Sequence, residues 1–163
     1  METRFIVDIN VGKLARWLRL MGYDTLLFNE IDDGQMVKMA LADNRIILTR
    51  DTQFLKRKAI TSGRVKALLI EAEEPEQQLK QVITRFSLDY EYAPFSLCLE
   101  CNAHLIDRVK EELKDIVPPY VYKTQQYFKE CPECHRIYWQ GTHWVAMNKI
   151  LGKFAIDKKK VAG

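Results

Sequence analysis

The sequence predicts an α/β fold in which helices cover a parallel β-sheet, followed by a smaller domain that contains every cysteine of the chain. Short apolar runs alternate four times with helical patterns in the first 86 residues, and the connections between them are short. The apolar runs do not alternate with polar residues, which is typical of strands buried on both faces. Residues 88–94 interrupt this rhythm, and the cysteines begin soon after them. We therefore predict a domain boundary between residues 93 and 94.

Each element of the predicted α/β domain, residues 1–93, follows from its local pattern. Strands are predicted over residues 4–8, 25–28, 45–49 and 65–70, and helices over residues 12–21, 33–42, 52–60 and 75–86. In the first helix, Leu14 and Leu18 lie on one side, and Arg16 and Arg19 lie on the opposite side. Gly22 follows this helix, as glycine often does at a helix C-terminus.

Composition and charge indicate a soluble globular protein. Apolar residues make up 47% of the 163 residues and charged residues 29%, which is ordinary for a folded chain and excludes a disordered one. No apolar run approaches the roughly 18 residues of a membrane-spanning helix, and the first residues lack the pattern of a secretory signal. We therefore expect a cytoplasmic protein without membrane contact. The net charge of +3 equals the charge of Lys158, Lys159 and Lys160, in a predicted flexible basic tail at residues 156–163.

All four cysteines belong to Cys-x-x-Cys pairs, formed by Cys98 with Cys101 and by Cys131 with Cys134. This spacing lets both sulfurs of one turn face the same ion, and two such turns complete a tetrahedron of thiolates around zinc. The alternatives are disulfides, which are rare in the cytosol, a redox-active pair, or unrelated buried thiols. Iron can use the same four ligands. Because four thiolates leave no open position, we predict a structural zinc site rather than a catalytic one.

The cysteine-containing domain, residues 94–155, is predicted to be a small zinc ribbon that ends in a helix. A short helix is expected near residues 107–113, strands at 127–129 and 136–139, and the closing helix at 143–154. The histidines are not needed as zinc ligands. His135 directly follows a cysteine, and we expect it at the surface or beside the metal site.

Three aspartates are predicted to meet at one edge of the parallel sheet. Asp8 ends the first strand, Asp51 follows the third, and Asp33 stands at the start of the second helix. Functional groups gather beyond the carboxyl ends of parallel strands, and three carboxylates there would bind Mg²⁺ or Mn²⁺ through oxygen. The alternative is that Asp33 and Asp51 are helix N-caps, because aspartate accepts hydrogen bonds from free backbone N–H groups. Spacing alone leaves both interpretations open.

Several motifs in combination resemble those of a known protein family. They are Asp8 followed by Gly-Lys-Leu-Ala-Arg-Trp-Leu-Arg at residues 12–19, Thr-Arg-Asp at residues 49–51, the two Cys-x-x-Cys pairs, and Tyr-Trp-Gln-Gly-Thr-His-Trp at residues 138–144. Over residues 4–148 the chain resembles the Mut-seven C-terminal ribonuclease family, a PIN-like nuclease group. The Thr-Arg-Asp element alone is shared by many PIN-like domains, so the resemblance depends on the combination.

The resemblance implies a PIN-like, three-layer parallel sheet domain with an appended zinc ribbon. It implies a ribonuclease that hydrolyses RNA, expected to be single-stranded, with Mg²⁺ or Mn²⁺. Asp8, Asp33 and Asp51 correspond to the catalytic acidic metal ligands of the family. Lys13 and Arg16 correspond to phosphate contacts, although ordinary helix-surface charge explains both basic residues equally well.

Two features limit what the resemblance implies. PIN nucleases often have a fourth acid shortly after the third, whereas Thr52 and Gln53 occupy the nearest positions in this chain. The number of catalytic metal ions, one or two, therefore stays open. His143 lies in a matching motif, and packing against the ribbon is as consistent with the sequence as contact with substrate.

The zinc ribbon is expected to help bind RNA or a partner protein. Tyr127, Phe128, Tyr138 and Trp139 supply rings on which bases can stack. Packing in the ribbon core is the alternative for all four.

Two other functions fit parts of the pattern. A non-catalytic adaptor would keep the PIN-like shape while the ribbon binds RNA or protein. A phosphoacceptor signalling domain also has an acid after its first strand and an aspartate after its third, but this sequence has no evident lysine after a fifth strand. The sequence does not indicate an oligomeric state.

Overall fold

The computed structural model describes residues 2–29 and 32–162, with side chains described as far as Phe154. It consists of two compact units, Met1–Phe95 and Ser96–Gly163. Each unit contains its own β-sheet, with four strands in the first and three in the second.

The first unit is built on a parallel sheet with the strand order β2-β1-β3-β4. Its strands are β1 (Phe5–Asp8), β2 (Thr25–Phe28), β3 (Ile46–Thr49) and β4 (Ala67–Leu69). Its helices are α1 (Lys13–Leu20), α2 (Asp33–Asp43), α3 (Lys58–Thr61) and α4 (Pro75–Phe86). The predicted α/β class, with a parallel sheet and helices between the strands, is confirmed.

Both faces of this sheet are buried. On one face, Ile6 and Ile47 form an apolar cluster with α2 and with Phe54 in the segment after β3. Neighbouring side chains of a strand point to opposite faces, and Phe5 accordingly packs on the other face. Its ring meets that of Phe86 in α4 edge-on, with the ring centroids 5.8 Å apart. Burial on both faces explains why the strands are apolar throughout.

The strand register brings the carboxyl ends of the strands to one level. Asp8 pairs with Phe28 of β2, and the register between β1 and β3 places Asp8 beside Thr49. Thr49 in turn pairs with Leu69 of β4. Asp8 is half-buried, whereas the three residues before it in β1 are fully buried. The first polar side chain of the central strand therefore emerges at this edge.

Buried arginines hold the opposite, amino-terminal edge of the sheet. The guanidinium of Arg45 donates to the carbonyl of Phe5 at 3.2 Å and to the carboxylate of Asp24 at 2.9 and 3.3 Å. Arg19 is buried as well, and its Nε donates to the carbonyl of Thr25 at 2.9 Å. In the last turn of α1 the polar side of the helix is therefore buried. Arg19 supplies there the hydrogen-bond donor that a buried backbone carbonyl at the start of β2 needs.

The prediction of one continuous helix over residues 52–60 was wrong. The chain forms a 3₁₀ turn at Phe54–Lys56, and α3 begins only at Lys58. Arg57 separates the two elements because its backbone is extended, with ψ 140°. This conformation accompanies two contacts of the Arg57 guanidinium, which lies over the Phe54 ring and 3.9 Å from the carboxylate of Asp33.

The second unit is a small antiparallel sheet with helices. Its elements are β5 (Ile106–Arg108), a 3₁₀ turn (Lys110–Leu113), α5 (Pro119–Thr124), β6 (Phe128–Glu130), β7 (Ile137–Tyr138) and α6 (Thr142–Ala162). The helix expected near residues 107–113 was wrong at its start, where Asp107 pairs with Lys129 in the β5–β6 ladder. Arg108 reinforces that ladder by donating to Glu130 at 2.6 Å.

The closing helix α6 is longer than the predicted range of 143–154, since its backbone is helical through Ala162. The side chains of the predicted basic tail, residues 156–163, lie outside those that the structure describes, so the tail stays a prediction. Among the described residues, no helix has the length and apolar character needed to span a bilayer.

Gly22 and Gly63 form a matched pair for testing how the first unit folds. Both have positive φ, 95° at Gly22 and 82° at Gly63. A Cβ at Gly22 would lie 2.3 Å from the carbonyl oxygen of Ala93, whereas a Cβ at Gly63 would meet nothing within 4 Å. Gly63→Ala should cost about 1–2 kcal/mol, the price of a left-handed backbone, and Gly22→Ala clearly more. Urea unfolding of both variants measures the difference, and equal losses would contradict the crowding at Gly22.

Candidate metal centre and candidate active site

The four cysteine sulfurs of the second unit form a cluster. All four Sγ atoms lie within 4.8 Å of one another, and in the part of the chain with described side chains no other group of three or more histidine, cysteine or acidic residues does so. Tetrahedral zinc with bonds of about 2.3 Å places its sulfurs about 3.8 Å apart, and Cys98 Sγ lies 3.7 Å from Cys134 Sγ. A disulfide would need about 2.05 Å, and all four cysteines are free. The donor set therefore fits zinc, as the spacing predicted.

The first Cys-x-x-Cys turn shows how the backbone aims two sulfurs at one point. The N–H of Cys98 donates to the carbonyl of Ala103 at 2.8 Å, and the N–H of Asn102 donates back to the carbonyl of Cys98 at 2.9 Å. The N–H of Cys101 donates to Cys98 Sγ at 3.3 Å. Asn102 has φ 65°, a left-handed conformation that asparagine tolerates. A reversed chain direction directly after the second cysteine closes the turn.

The second turn repeats this geometry. The N–H of Cys131 donates to the carbonyl of Arg136 at 3.0 Å, and the N–H of His135 donates to the carbonyl of Cys131 at 2.9 Å. The N–H of Cys134 donates to Cys131 Sγ at 3.4 Å. His135 has φ 63° and occupies the place that Asn102 has in the first turn. The histidine is exposed, so its contribution here is a backbone conformation.

Electrostatics differ among the sulfurs before any metal is bound. Burial raises the pKa of the Cys134 thiol, but hydrogen bonds from Arg136 and neighbouring cysteines outweigh burial and lower this pKa to about 6. The shared hydrogen bond with Cys134, followed by burial, raises the pKa of Cys101 to about 12. These contacts thus favour the thiolate form of Cys134 and the thiol form of Cys101, and binding of a metal ion must release the protons that remain.

At the carboxyl edge of the first unit, a hydrogen-bond network joins two of the predicted acids. The buried hydroxyl of Thr49 donates to Asp8 Oδ2 at 3.1 Å. Thr49 Oγ1 itself accepts from the backbone N–H of Asp51 at 3.1 Å. Thr49 therefore fixes the Asp8 carboxylate relative to the backbone of Asp51. The Thr-Arg-Asp motif includes this threonine, but no local pattern indicates that its partner Asp8 lies 41 positions earlier in the chain.

Asp51 also caps the turn that follows it. Its Oδ1 accepts from the N–H of Gln53 at 2.9 Å and from the N–H of Phe54 at 3.3 Å. The capping alternative is thus correct for Asp51, although both bonds use the same oxygen. Capping and a role at the sheet edge are compatible, because the second carboxylate oxygen takes no part in these bonds.

Asp33 does not cap the second helix. The N-cap of α2 is Asp32, whose Oδ1 accepts from the N–H of Gly34 at 2.9 Å. The carboxylate of Asp33 lies instead 3.9 Å from the guanidinium of Arg57. Arg57 also covers the Phe54 ring, with 5.4 Å between Cζ and the ring centroid. This arginine, which the sequence did not single out, links the start of α2 to the turn capped by Asp51.

The other two predicted site residues, Lys13 and Arg16, lie on α1. Lys13 is exposed at the first position of α1 and lines a cleft of about 520 Å³ together with Asn10, Glu74 and Gln78. Arg16 is half-buried on the same helix. Among the residues with described side chains, Asp8, Asp33 and Asp51 do not form a group whose carboxylate oxygens lie close enough together to hold a metal ion.

Taken together, fold and site define a chain of two units, in which a parallel α/β unit precedes a unit whose four cysteines could hold a zinc ion. The family model described as the Mut7-C RNAse domain matches residues 3–151. The chain belongs to this family, which confirms the resemblance seen in its motifs. Comparisons with curated proteins and with solved structures gave no match.

Two substitutions separate the contribution of the Thr49 hydroxyl to stability from the contribution of the side-chain volume. Thr49→Val should lower the free energy of unfolding by about 1–3 kcal/mol, because the part-buried hydrogen bond from the N–H of Asp51 loses its acceptor. Thr49→Ser keeps the hydroxyl and should lose less. Urea denaturation compares the variants, and a larger loss for serine than for valine would contradict the network.

The backbone role of His135 gives a second test. His135→Gly should retain one zinc per chain and leave the stability equal or higher, because glycine removes the strain of a left-handed conformation, about 1–2 kcal/mol. His135→Val should lower it. Metal analysis and thermal unfolding measure both effects, and zinc loss in the glycine variant would show that the imidazole is needed.

Proposed function

We propose that the first unit is a PIN-like nuclease domain that hydrolyses phosphodiester bonds of single-stranded RNA. The observation that carries this proposal is the Asp8–Thr49–Asp51 network at the carboxyl edge of β1 and β3, in a chain that belongs to a ribonuclease domain family. In open parallel sheets, ligands bind beyond this edge. A nuclease site at this position agrees with both facts.

Mg²⁺ or Mn²⁺ is the proposed catalytic cofactor, with Asp8, Asp33 and Asp51 as its ligands. Carboxylate oxygens are the donors that these ions prefer. Asp8 ends β1, and Asp33 and Asp51 come after β2 and β3 in the chain. When bound, a divalent ion stabilises the charge that develops on a phosphate and makes a water molecule more acidic. The chain itself supplies rigid placement, through Thr49 for Asp8 and through the capping bonds for Asp51.

Positive side chains near this edge suit a phosphate backbone. Arg57 lies beside Asp33 with its side chain 44% exposed, so it can balance carboxylate charge or meet a phosphate oxygen. Lys13 and Arg16 are the further proposed phosphate contacts, on a helix that begins shortly after Asp8. Phosphate contacts position a nucleic acid without reading its sequence.

The zinc ribbon is proposed to be structural and to assist binding of RNA or a partner. Tyr127, 83% exposed, is available for base stacking. Phe128 and Trp139 pack against each other in the ribbon core, and the hydroxyl of Tyr138 lies at the cysteine cluster. Of the four predicted aromatic platforms, the exposure therefore favours Tyr127 alone. Free thiolate ligands also agree with a reducing, cytoplasmic location.

In the described part of the chain the three carboxylates do not form a close group of ligands for a metal ion, and this observation favours the adaptor alternative. An adaptor would bind RNA or protein through the ribbon and would have no activity to lose. Neutralising the acids distinguishes the two functions.

Cleavage of labelled single-stranded RNA, with Mn²⁺, with Mg²⁺ and after chelation, tests the proposed function. Asp8→Asn, Asp33→Asn and Asp51→Asn should each reduce cleavage at least about a hundredfold, since loss of even an outer partner of a metal ligand costs about 10–100-fold. Asp32→Asn is the matched control, because asparagine preserves the N-cap while it removes an adjacent charge. Its cleavage should be nearly unchanged.

Zinc content is measured in every sample, including the chelated one, so that loss of the ribbon is not mistaken for loss of catalysis. Wild-type protein that retains zinc and cuts none of several RNA substrates would move the conclusion to the adaptor. Equal cutting by wild type and all three asparagine variants would remove the acids from the site.

A further inference from the structure

Strand β7 presents its two sides to two different environments. Ile137 and Trp139 pack against the ribbon core around Leu113 and Phe128. Because neighbouring side chains in a strand point to opposite sides, the residues in between face the other way. Tyr138 accordingly reaches the cysteine cluster.

The hydroxyl of Tyr138 joins the first cysteine turn at two points. Its Oη lies 3.1 Å from Cys98 Sγ. The same Oη accepts the backbone N–H of Leu99 at 3.1 Å. The two contacts tie β7 to the turn that contains Cys98 and Cys101.

The direction of the bond to Cys98 follows from the chemistry of the partners. A cysteine bound to a metal ion is a thiolate, which has no proton and only accepts hydrogen bonds. The phenol has one proton, and its oxygen already accepts from Leu99. Tyr138 is therefore the donor to Cys98 Sγ whenever the metal ion is bound.

A hydrogen-bond donor to a thiolate also has an electrostatic effect at such a site. Four thiolates around a divalent ion leave two negative charges in excess. A donor to Cys98 relieves part of that excess, and outer partners of this kind tune metal sites.

We propose that Tyr138 is a positioning residue of the four-cysteine centre, where its hydroxyl donates to the Cys98 thiolate and slows loss of the metal ion. This inference concerns the ribbon and is independent of the proposed nuclease activity. The inference gives a chemical role to the tyrosine of the Tyr-Trp-Gln-Gly-Thr-His-Trp segment at residues 138–144.

Tyr138→Phe in the full chain, loaded with zinc or with Co²⁺, tests this role. Zinc should pass to a chromogenic chelator about 10–100-fold faster than from wild type. In the Co²⁺ form, the thiolate-to-metal charge-transfer absorption should move to longer wavelength, because a thiolate without its hydrogen-bond donor gives up electron density more easily. Tyr122→Phe is the matched control, since its ring packs on the same core while its hydroxyl is not at the cluster.

Trp139→Phe serves as the control for a purely structural effect of the Tyr138 substitution. It loosens the core on the other side of β7 and leaves the Tyr138 hydroxyl in place. This variant should release zinc faster without a shift of the Co²⁺ absorption. An unshifted spectrum with wild-type release in Tyr138→Phe would overturn the proposal, and so would an equal spectral shift in Trp139→Phe.

Discussion

The central position of β1 is the constraint on which the first unit depends. This strand has parallel neighbours on both sides, and Phe5, Ile6 and Val7 are fully buried. A strand so enclosed cannot carry a polar group along its length, because a buried polar group needs a partner. Asp8 is the first position at which chemistry can appear, and the parallel arrangement collects the ends of β2 and β3 at that same edge.

The two edges of the sheet use charged groups in different ways. At the amino edge, Arg45 forms an ion pair with Asp24 and donates a hydrogen bond to the carbonyl of Phe5. The two charges therefore balance each other and stabilise the fold. At the carboxyl edge, Asp8 is held by a neutral hydroxyl, that of Thr49. A neutral donor fixes the carboxylate without cancelling its charge, so the acid keeps its attraction for a cation.

Sequence patterns predicted the elements whose burial is simple. Residues 25–28 and 75–86 have the predicted bounds, because a short apolar run and a helix with one apolar side give clear local patterns. The break at Arg57 and the strand at residues 106–108 were not predictable, since each depends on partners distant in sequence, Asp33 in one case and residues 128–130 in the other.

The same distinction applies to the sites. Cysteine spacing is a local signal and identified all four sulfurs, whereas the contact of Tyr138 with Cys98 spans 40 positions and leaves no local trace. The acids were found as a set, but the sequence assigned the possible cap of α2 to Asp33 instead of Asp32. Two adjacent aspartates offer the same cap to a reader of sequence, and backbone geometry alone decides between them.

We propose that the carboxyl edge of the first unit holds a divalent cation. The most direct test is to measure the binding of Mn²⁺ to the zinc-loaded protein by electron paramagnetic resonance. We expect saturable binding that is weakened by Asp8→Asn and by Asp51→Asn while zinc stays in the ribbon. Binding that is absent, or unchanged in both variants, would contradict it.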